Sequence, residues 1–385
     1  LKRQFTMACA PRFPAASWTS ISDVVEVMQH EDQLHLPTLA PATLTTALLT
    51  PATHPPQHTS TMGVNYELVI YLSAWYLGNY YYNIFNKKAA KSSGGAEFAF
   101  TLATIQLVVG SLYALFLWAA PEARAKPKMT FSQVVALAPL GFFAAAAHAG
   151  AVFAMSAGAV SFGQVVKAAE PVFAAAVGYA VYGKSISNAK ILCLLPIIGG
   201  IALASAKELD FAWGALIAAC TANIASAFRG AENKRTMEDK ELKAAVGGGA
   251  NTYAITTLWA TLMLVPMIFI SGEYAKFDEF AAMWKADGKA GTAGNLQFNT
   301  LMSGLTFYLY NEVSTLALKS ISGVTHSVAN TAKRAIIIVG CAIAFGESMA
   351  PIKMAGCSIA IAGTFFYAIA DDIADMVGGK KKKKA

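Results

Sequence analysis

Charged residues are scarce in this sequence. Only 14% of its 385 residues are charged and 55% are hydrophobic, whereas ordinary soluble domains carry about 25% charged residues. The mean hydropathy is +0.46. So low a content of charge argues against a soluble globular domain and predicts a membrane protein.

Cysteine is also scarce, and its spacing does not suit metal binding or cross-linking. The chain has five cysteines, and Cys193, Cys220, Cys341 and Cys357 lie in apolar segments without CxxC spacing. The sequence therefore indicates neither a zinc site nor a disulfide framework, and it predicts no metal and no cofactor.

A basic surface for nucleic acid is not indicated either. The formal net charge is +7, but the excess comes largely from the terminal run Lys380 to Lys384. Such a run is usually a solvated tail or a targeting signal, so no nucleic-acid partner is predicted.

Long apolar segments separated by short polar breaks begin at Tyr66. A helix that crosses a bilayer needs about 20 apolar residues. The pattern predicts an all-α polytopic membrane protein, embedded in the lipid bilayer, with about ten transmembrane helices. The candidate spans are 67–86, 98–119, 133–156, 159–182, 190–206, 211–230, 250–271, 297–317, 325–345 and 351–370.

The two ends of the chain differ from this apolar body. Residues 1–65 are rich in Thr, Pro and Ala and contain no sustained apolar run. We expect them to be a disordered leader or a non-native extension, with Met62 as an alternative start. Residues 372–385 are expected to form a basic cytosolic tail.

The two halves of the apolar body resemble each other. Four residues of the first half recur 163 residues later in the second half. They are Gly183, Ser185, Lys190 and Gly200, which recur as Gly346, Ser348, Lys353 and Gly363. This predicts two five-helix repeats, 66–206 and 207–371. Because five is odd, the second repeat would be inverted in the membrane, as in many secondary transporters. The bias of Lys and Arg places both termini in the cytosol.

The stretch "GYAVYGKS", Gly178 to Ser185, fits the phosphate-binding loop of nucleoside triphosphatases. That loop needs a strand before it, whereas these residues close an apolar span. The counterpart "CAIAFGES" has Glu347 where the motif requires lysine. The stretch is therefore interpreted as the end of a span and a turn, and an enzyme is not predicted.

Ionisable residues inside spans are expensive to insert and are candidate functional residues. Lys167 lies mid-span in "SFGQVVKAAEPVF", on one helix face with Gln164 and Glu170. Pro171 is expected to kink or break this helix. The structural alternative is that Lys167 merely forms an ion pair with Glu170.

Lys333 and Arg334 lie in "VTHSVANTAKRAIIIVGCAIAF", where no acidic residue occurs before Glu347. They suggest an anion site, because arginine grips phosphate with a planar fork and lysine adds a point charge. The alternative is a span that starts later and leaves both in a loop. With Lys167, they would supply cations from both halves to a phosphorylated substrate, whose phosphate carries about −1.5 to −2 charge.

Three further residues have less specific signals. His148 is surrounded by small residues and suits either a packing role or a ligand contact. Tyr310 could donate to a phosphate oxygen or act as an interfacial anchor. Arg229 lies near a predicted span end and could simply extend toward water.

Five motifs at these positions resemble the plastid phosphate translocators of the triose-phosphate/phosphate type, within the drug/metabolite transporter superfamily. The resemblance extends from Trp75 to about Asp371. The motifs are "NIFNKK" (83–88), "VSFGQVVKAAEPVF" (160–173), "FRGAENKR" (228–235), "FYLYNEVS" (307–314) and "VTHSVANTAKR" (324–334). The resemblance implies ten helices in two inverted repeats and strict exchange of inorganic phosphate for a phosphorylated compound.

The resemblance also implies roles for individual residues. Lys167, Lys333 and Arg334 match the family's phosphate-holding residues, and His148 and Tyr310 match its further substrate contacts. Arg229 and His326 are additional candidates, with His326 resembling the triose-phosphate and phosphoenolpyruvate branches. Ala151 stands where members of the family can carry a hydroxyl, which leaves selectivity open.

The sequence thus predicts an antiporter that exchanges inorganic phosphate for phosphorylated C3 compounds by alternating access. A carrier of a sugar phosphate or nucleotide sugar is the alternative. The expected location is the plastid envelope or the outer membranes of a complex plastid. Because the end "KKKKKA" resembles a dilysine retrieval signal, the endoplasmic reticulum is also an expected candidate.

Overall fold

The computed structural model describes residues 66–206, 213–286 and 296–377, and within these ranges all regular structure is helical. The predicted leader, 1–65, and the lysine run of the tail lie outside the described residues. The α-helices are α1 (Tyr66–Ser92), α2 (Ala99–Ala119), α3 (Phe131–Ala136), α4 (Ala138–Ala157), α5 (Val160–Lys167), α6 (Glu170–Ala180), α7 (Asn188–Ser205), α8 (Trp213–Glu238), α9 (Lys240–Val246), α10 (Gly249–Ile270), α11 (Phe277–Ala286), α12 (Leu296–Ser320), α13 (Gly323–Phe345) and α14 (Pro351–Val377). Short 3₁₀ helices cover Gly95–Phe98 and Glu273–Lys276.

Each of the ten predicted spans coincides with one α-helix or with two consecutive ones. Seven helical stretches of the described chain are long and apolar enough to cross a membrane. They are Gly95–Ala119, Phe131–Ala157, Val160–Ala180, Asn188–Ser205, Gly249–Ile270, Thr325–Phe345 and Pro351–Ala374. The chain is therefore an all-α polytopic membrane protein. Helices α1, α8 and α12 are more polar, so the crossing of all ten stays a prediction.

The distribution of side chains is that of a protein surrounded by lipid. Asn83, Gln106 and Asn223 are fully buried. Large apolar side chains face outward at Leu112, Phe116, Leu192, Leu195, Leu262, Phe269 and Ile343. Polar groups inside a bilayer must find partners within the protein, whereas leucine and phenylalanine are well accommodated by lipid tails.

The fourth predicted span is broken between α5 and α6, as Pro171 leads one to expect. Proline has no N–H to donate to the carbonyl four residues earlier, which is that of Lys167. Arg334 donates to that carbonyl instead. The neighbouring carbonyls of Val166 and Ala168 accept hydrogen bonds from side chains of α8 and α14. The break is thus held by side chains from other helices, as interrupted membrane helices require.

Successive spans run in opposite directions between two ends of the bundle. We define face 1 as the end where α1 begins and α14 ends, and face 2 as the end where α1 ends and α14 begins. On face 1, Lys190 at the start of α7 pairs with Asp371, with Nζ 2.5 Å from Oδ2. On face 2, Glu273 after α10 accepts from the Thr101 backbone N–H at the start of α2, at 2.7 Å.

Two helices, α14 and α8, extend beyond the predicted ends of their spans. Helix α14 continues past the predicted span end at 370 to Val377, so part of the predicted tail is helical. The Lys190–Asp371 ion pair and a 2.6 Å hydrogen bond from the Ser187 hydroxyl hold this last part of α14 against α7. Helix α8 likewise continues beyond the predicted end at 230 to Glu238.

The 163-residue shift between the halves relates contacts between helices as well as residues. Gly200 of α7 lies against Ala360 of α14, where an added Cβ would be 2.5 Å from the Ala360 backbone nitrogen. Shifting both positions by 163 gives Gly363 and Ile197. These also touch, since a Cβ at Gly363 would lie 2.8 Å from Ile197 Cγ1.

Candidate functional site

A central cavity of ≈ 300 Å³ lies among α1, α2, α4, α5, α6, α8, α10, α12 and α13. All seven candidate residues from the sequence line it, namely Lys167, Lys333, Arg334, Tyr310, His148, Arg229 and His326. The helix break before Pro171 lies beside this cavity, because Lys167 at the end of α5 and Glu170 at the start of α6 both line it.

Arg334 connects the two halves of the chain at the break. Its guanidinium donates to the Lys167 carbonyl and forms an ion pair with the Glu170 carboxylate. The side chain of Arg334 is 8% exposed and that of Glu170 is 33% exposed. Glu170 therefore forms its ion pair with Arg334, and the structural alternative of a Lys167–Glu170 ion pair is wrong. The partner of Arg334 lies 164 positions away in sequence, which is why its own segment seemed to lack one.

Lys333 lies beside aromatic rings at the cavity wall. Its Nζ is 4.7 Å from the ring centroid of Trp75 and 5.7 Å from that of Tyr310, within the range of cation–π attraction. Because α13 begins at Gly323, Lys333 and Arg334 lie inside the helix. The alternative that they occupy a loop is wrong.

His326 stacks on the ring of Trp75, the same ring that lies beside Lys333. Its ring lies 4.7 Å from that of Trp75 at an interplanar angle of 11°. Its Nε2 is 3.0 Å from the Ser314 hydroxyl. Sequence reasoning did not identify Trp75, because a tryptophan in an apolar span usually signals only packing or an interface.

His148 is 4% exposed, and neither of its ring nitrogens has a hydrogen-bond partner of good geometry. Its ring lies 4.1 Å from that of Phe307. Tyr310 is 7% exposed and lines the cavity from α12. Buried polar groups are normally hydrogen-bonded, so the two unpaired ring nitrogens of His148 are available to a ligand, and its role as a substrate contact stays a prediction.

Arg229 is half-buried on α8 and has no hydrogen bond or ion pair among the described residues. Its positive charge is repelled by that of Lys167, which lines the same cavity. Because α8 continues nine residues beyond it to Glu238, Arg229 does not lie at a helix end. Arg229 lines the cavity from inside this helix, and the interpretation that it extends toward water at a span end stays a prediction.

The balance of charge in the cavity favours an anion. Four cationic side chains and one carboxylate line it: Lys167, Arg229, Lys333 and Arg334 against Glu170. Another acidic residue, Glu312, pairs with Arg124 and does not line the cavity. Cations gathered without matching acids are stabilised by a bound anion.

The Gly-Lys-Ser stretch lies apart from this cavity. Helix α6 ends at Ala180, and Gly183 then adopts a left-handed turn with φ 61°. Lys184 Nζ lies 5.4 Å from the Tyr182 ring, and Lys184 is not among the residues that line the cavity. The described residues include no strand before this stretch, so it is a span end and a turn.

Fold and site together define a polytopic membrane protein with a cationic cavity at its centre. The family model described as Triose-phosphate Transporter family matches residues 66–368. The chain belongs to this family, and it is therefore a transporter and not an enzyme.

Characterised relatives align over most of both chains. The chain is 35% identical over 320 residues to the xylulose 5-phosphate/phosphate translocator of Arabidopsis thaliana, covering 82% of this chain and 73% of the relative. It is 30% identical over 302 residues to the non-green plastid triose phosphate/phosphate translocator of Brassica oleracea var. botrytis, covering 78% and 72%. It is 32% identical over 309 residues to the phosphoenolpyruvate/phosphate translocator 3 of Oryza sativa subsp. japonica, covering 78% and 74%.

Proposed function

We propose that this chain is an antiporter that exchanges inorganic phosphate for phosphorylated three-carbon compounds by alternating access. The carrying observation is the central cavity with four cationic side chains and one carboxylate. Triose phosphate and 3-phosphoglycerate are the expected substrates, together with phosphoenolpyruvate. The names of the relatives, each a phosphate translocator, support the phosphate part of the exchange.

Phosphate binds at Arg334, Lys333 and Lys167 in this proposal. In the described structure the Arg334 guanidinium is already occupied by Glu170. An incoming phosphate competes with that carboxylate for the guanidinium, which it can grip through two parallel N–H donors. Lys333 and Lys167 supply further charge, while His148 and Tyr310 contact the remainder of the substrate and Arg229 and His326 stand at its edge.

The contacts at face 2 support a cavity that is closed toward that face. The Lys87 ammonium at the end of α1 donates to the carbonyls of Met155 and Gly158 at the end of α4, at 2.9 and 2.5 Å. Glu347, after α13, accepts from the backbone N–H groups of Val160 and Ser161 at the start of α5. These contacts join the ends of four helices.

The helices that correspond to α1 and α4 in the second half are α8 and α12. "Asn-Lys-Lys" at 86–88 and "Asn-Lys-Arg" at 233–235 are 147 residues apart, which pairs Lys87 with Lys234. One contact tests both shifts together, the 147-residue shift that relates α1 to α8 and the 163-residue shift that relates α4 to α12. Gly150 packs on Ala222, and the two shifts give Val313 and Trp75, which share one core cluster. These paired contacts support the inverted repeat.

Among the described residues, face 1 has no counterpart of the Lys87 contact that closes face 2. The Lys234 side chain is 67% exposed, and its polar contact in the described structure is Glu238 on the next helical turn, at 3.9 Å. Lys87 binds the carbonyls of Met155 and Gly158. The residues 163 positions later are Leu318 and Ile321, at the end of α12. Closure of face 1 in this proposal therefore brings Lys234 to the carbonyls of these two residues while Lys87 releases its own.

Obligatory exchange follows from the charge of the empty cavity. Glu170 offsets one of four cations, and both faces could close on the empty site only by burying the others unpaired, which costs several kcal/mol per ion. Bound phosphate or phosphoester offsets this charge and allows the closed intermediate. Net transport without a counter-substrate is accordingly slow.

A carrier of a larger phosphorylated ligand, a sugar phosphate or nucleotide sugar, is the second candidate. Relatives named for xylulose 5-phosphate and glucose-6-phosphate align at 35% and 33% identity, which favours the sugar phosphates. Liposomes loaded with phosphate and offered triose phosphate, phosphoenolpyruvate, glucose 6-phosphate and a nucleotide sugar test both candidates. The proposal expects the three-carbon compounds to exchange fastest, and preference for a nucleotide sugar would contradict it.

A plastid membrane is the proposed location, because the relatives are named as chloroplastic. The bias of Lys and Arg makes face 1, where the described chain begins and ends, the cytosolic face in this proposal. Fluorescent fusions with the last six residues kept or deleted would separate an envelope or outer plastid membrane from the endoplasmic reticulum. Retention in the endoplasmic reticulum that requires the lysine run would contradict the plastid location.

A further inference from the structure

Two buried tyrosine hydroxyls at the cavity have no hydrogen-bond partner in the described structure. Tyr82 of α1 is 4% exposed, and both it and Tyr253 of α10 line the cavity. The hydroxyl oxygens of both are buried and unpaired. Thr257 lies beside the Tyr253 hydroxyl but not in hydrogen-bonding geometry. A buried hydroxyl is expensive to leave unsatisfied.

Tyr82 is placed away from the cations but connected to them through Tyr310. Trp75, beside Lys333, is seven residues earlier on the same face of α1, which is about 10 Å along the helix. The Tyr310 ring is 5.7 Å from Lys333 Nζ and 5.7 Å from the Tyr82 ring. Tyr253 lines the same cavity from α10.

The chemistry at this second position differs from that of the cations. A phenol hydroxyl can donate one hydrogen bond and accept others without carrying charge. It suits a hydroxyl or carbonyl oxygen, whereas the dianionic phosphate is matched by Lys167, Lys333 and Arg334. An organophosphate held by its phosphate extends its other end along the cavity, but inorganic phosphate has no such end.

We infer that Tyr82 and Tyr253 form a subsite for the hydroxyl or carbonyl oxygen of the organic substrate, and that they distinguish organophosphate from inorganic phosphate. This inference rests on the proposed exchange function. It adds to that function, besides His148 and Tyr310, two residues that contact the hydroxyl or carbonyl oxygen of triose phosphate.

Tyrosine-to-phenylalanine changes test the subsite with little risk to the fold. Since neither hydroxyl is bonded to the described protein, Tyr82→Phe and Tyr253→Phe remove no internal hydrogen bond and keep the rings in place. Tyr81→Phe is the matched control, because Tyr81 is adjacent, is 48% exposed and does not line the cavity. Thermal unfolding of each variant in detergent checks that folding is unchanged.

The readout is the half-saturating concentration of inorganic phosphate and of triose phosphate, each measured against liposomes loaded with phosphate. We expect Tyr82→Phe and Tyr253→Phe to raise the value for triose phosphate by about three- to tenfold, the effect of one lost hydrogen bond. The value for phosphate should change less than about twofold, and Tyr81→Phe should change neither.

Two other results would overturn the inference in different ways. The wild-type protein could exchange triose phosphate while both variants keep the wild-type ratio of the half-saturating concentrations of triose phosphate and phosphate. In that case the subsite is wrong while the transport function stands. If the wild-type protein exchanges phosphate but no organophosphate, the proposed function is wrong and the subsite is wrong with it.

Discussion

The two faces of the bundle differ at the helix pairs that the proposed repeat relates, α1 with α4 at face 2 and α8 with α12 at face 1. At face 2, Lys87 joins the end of α1 to the end of α4 through two backbone carbonyls. At face 1, Lys234, which is the counterpart of Lys87 in the proposed repeat, is exposed and contacts only its own helix within the described structure. Lys87 is bound and Lys234 is exposed. This difference fits a contact that forms at one face while the related contact at the other face is open.

The caps of the two central helices show the same contrast. The start of α5 at face 2 is capped by Glu347, which belongs to a segment 187 positions away. The start of α13 at face 1 is capped locally by Ser322, whose hydroxyl accepts from the Thr325 N–H at 3.1 Å. A local cap leaves the helix end free to move relative to its neighbours, whereas a distant cap joins two segments.

The largest loss of exchange is expected from replacing Lys333 or Arg334, because the proposed phosphate site is used whichever face is open. Lys333→Ala and Arg334→Ala should each abolish exchange, with a loss of at least about 100-fold, because each removes a charge from a desolvated ionic contact. Counter-exchange in liposomes loaded with phosphate measures the effect. Lys184→Ala, which alters the Gly-Lys-Ser stretch outside the cavity, is the control and should be near normal. Near-normal exchange in both site variants would move the binding site elsewhere.

The closing contacts should have the next largest effect. Lys87→Ala and Lys234→Ala should each slow exchange by about tenfold, because each removes charge-assisted hydrogen bonds from one closed state and unbalances the two. Lys88→Ala is the control for the first, since Lys88 is exposed beside it. Lys240→Ala is the control for the second, since Lys240 is also exposed.

The double variant sharpens the comparison of the faces. If Lys87 and Lys234 stabilise opposite states, Lys87→Ala combined with Lys234→Ala restores the balance and exchanges faster than either single variant. If the two losses multiply instead, the two lysines do not stabilise opposite states and their correspondence fails.

The smallest effect is expected from the caps. Glu347→Ala removes an acceptor shared by two backbone N–H groups and should lower the free energy of unfolding by about 1–3 kcal/mol. Ser322→Ala removes a local cap at an exposed helix start and should lower it by about 0.5–1 kcal/mol. Thermal unfolding midpoints in detergent give the order. A larger loss for Ser322→Ala would reverse the contrast between distant and local caps.

The helices could largely be predicted from sequence, because apolar segments of membrane length alternate with polar breaks. Pro171 also predicted the break in the fourth span, since its missing N–H acts locally. The extensions of α8 and α14 could not be predicted, because their charged turns are stabilised by contacts such as Lys190 with Asp371.

The site was predictable only as far as charge marks it. Lys167, Lys333 and Arg334 were prominent because a charge in an apolar segment is rare. The partner of Arg334 depends on how α6 packs against α13, which no local pattern encodes. Tyr82 and Tyr253 were missed for a related reason: tyrosine is common in membrane helices, and only the cavity distinguishes these two from the exposed Tyr81.

Net uptake of phosphate is the most direct test of antiport. Liposomes containing the purified protein would be loaded either with unlabelled phosphate or with buffer alone, and the initial uptake of labelled phosphate would be compared. Since an empty site cannot close without burying unpaired charge, uptake into the buffer-loaded liposomes should be at least about tenfold slower. Equal rates in the two preparations would contradict obligatory exchange.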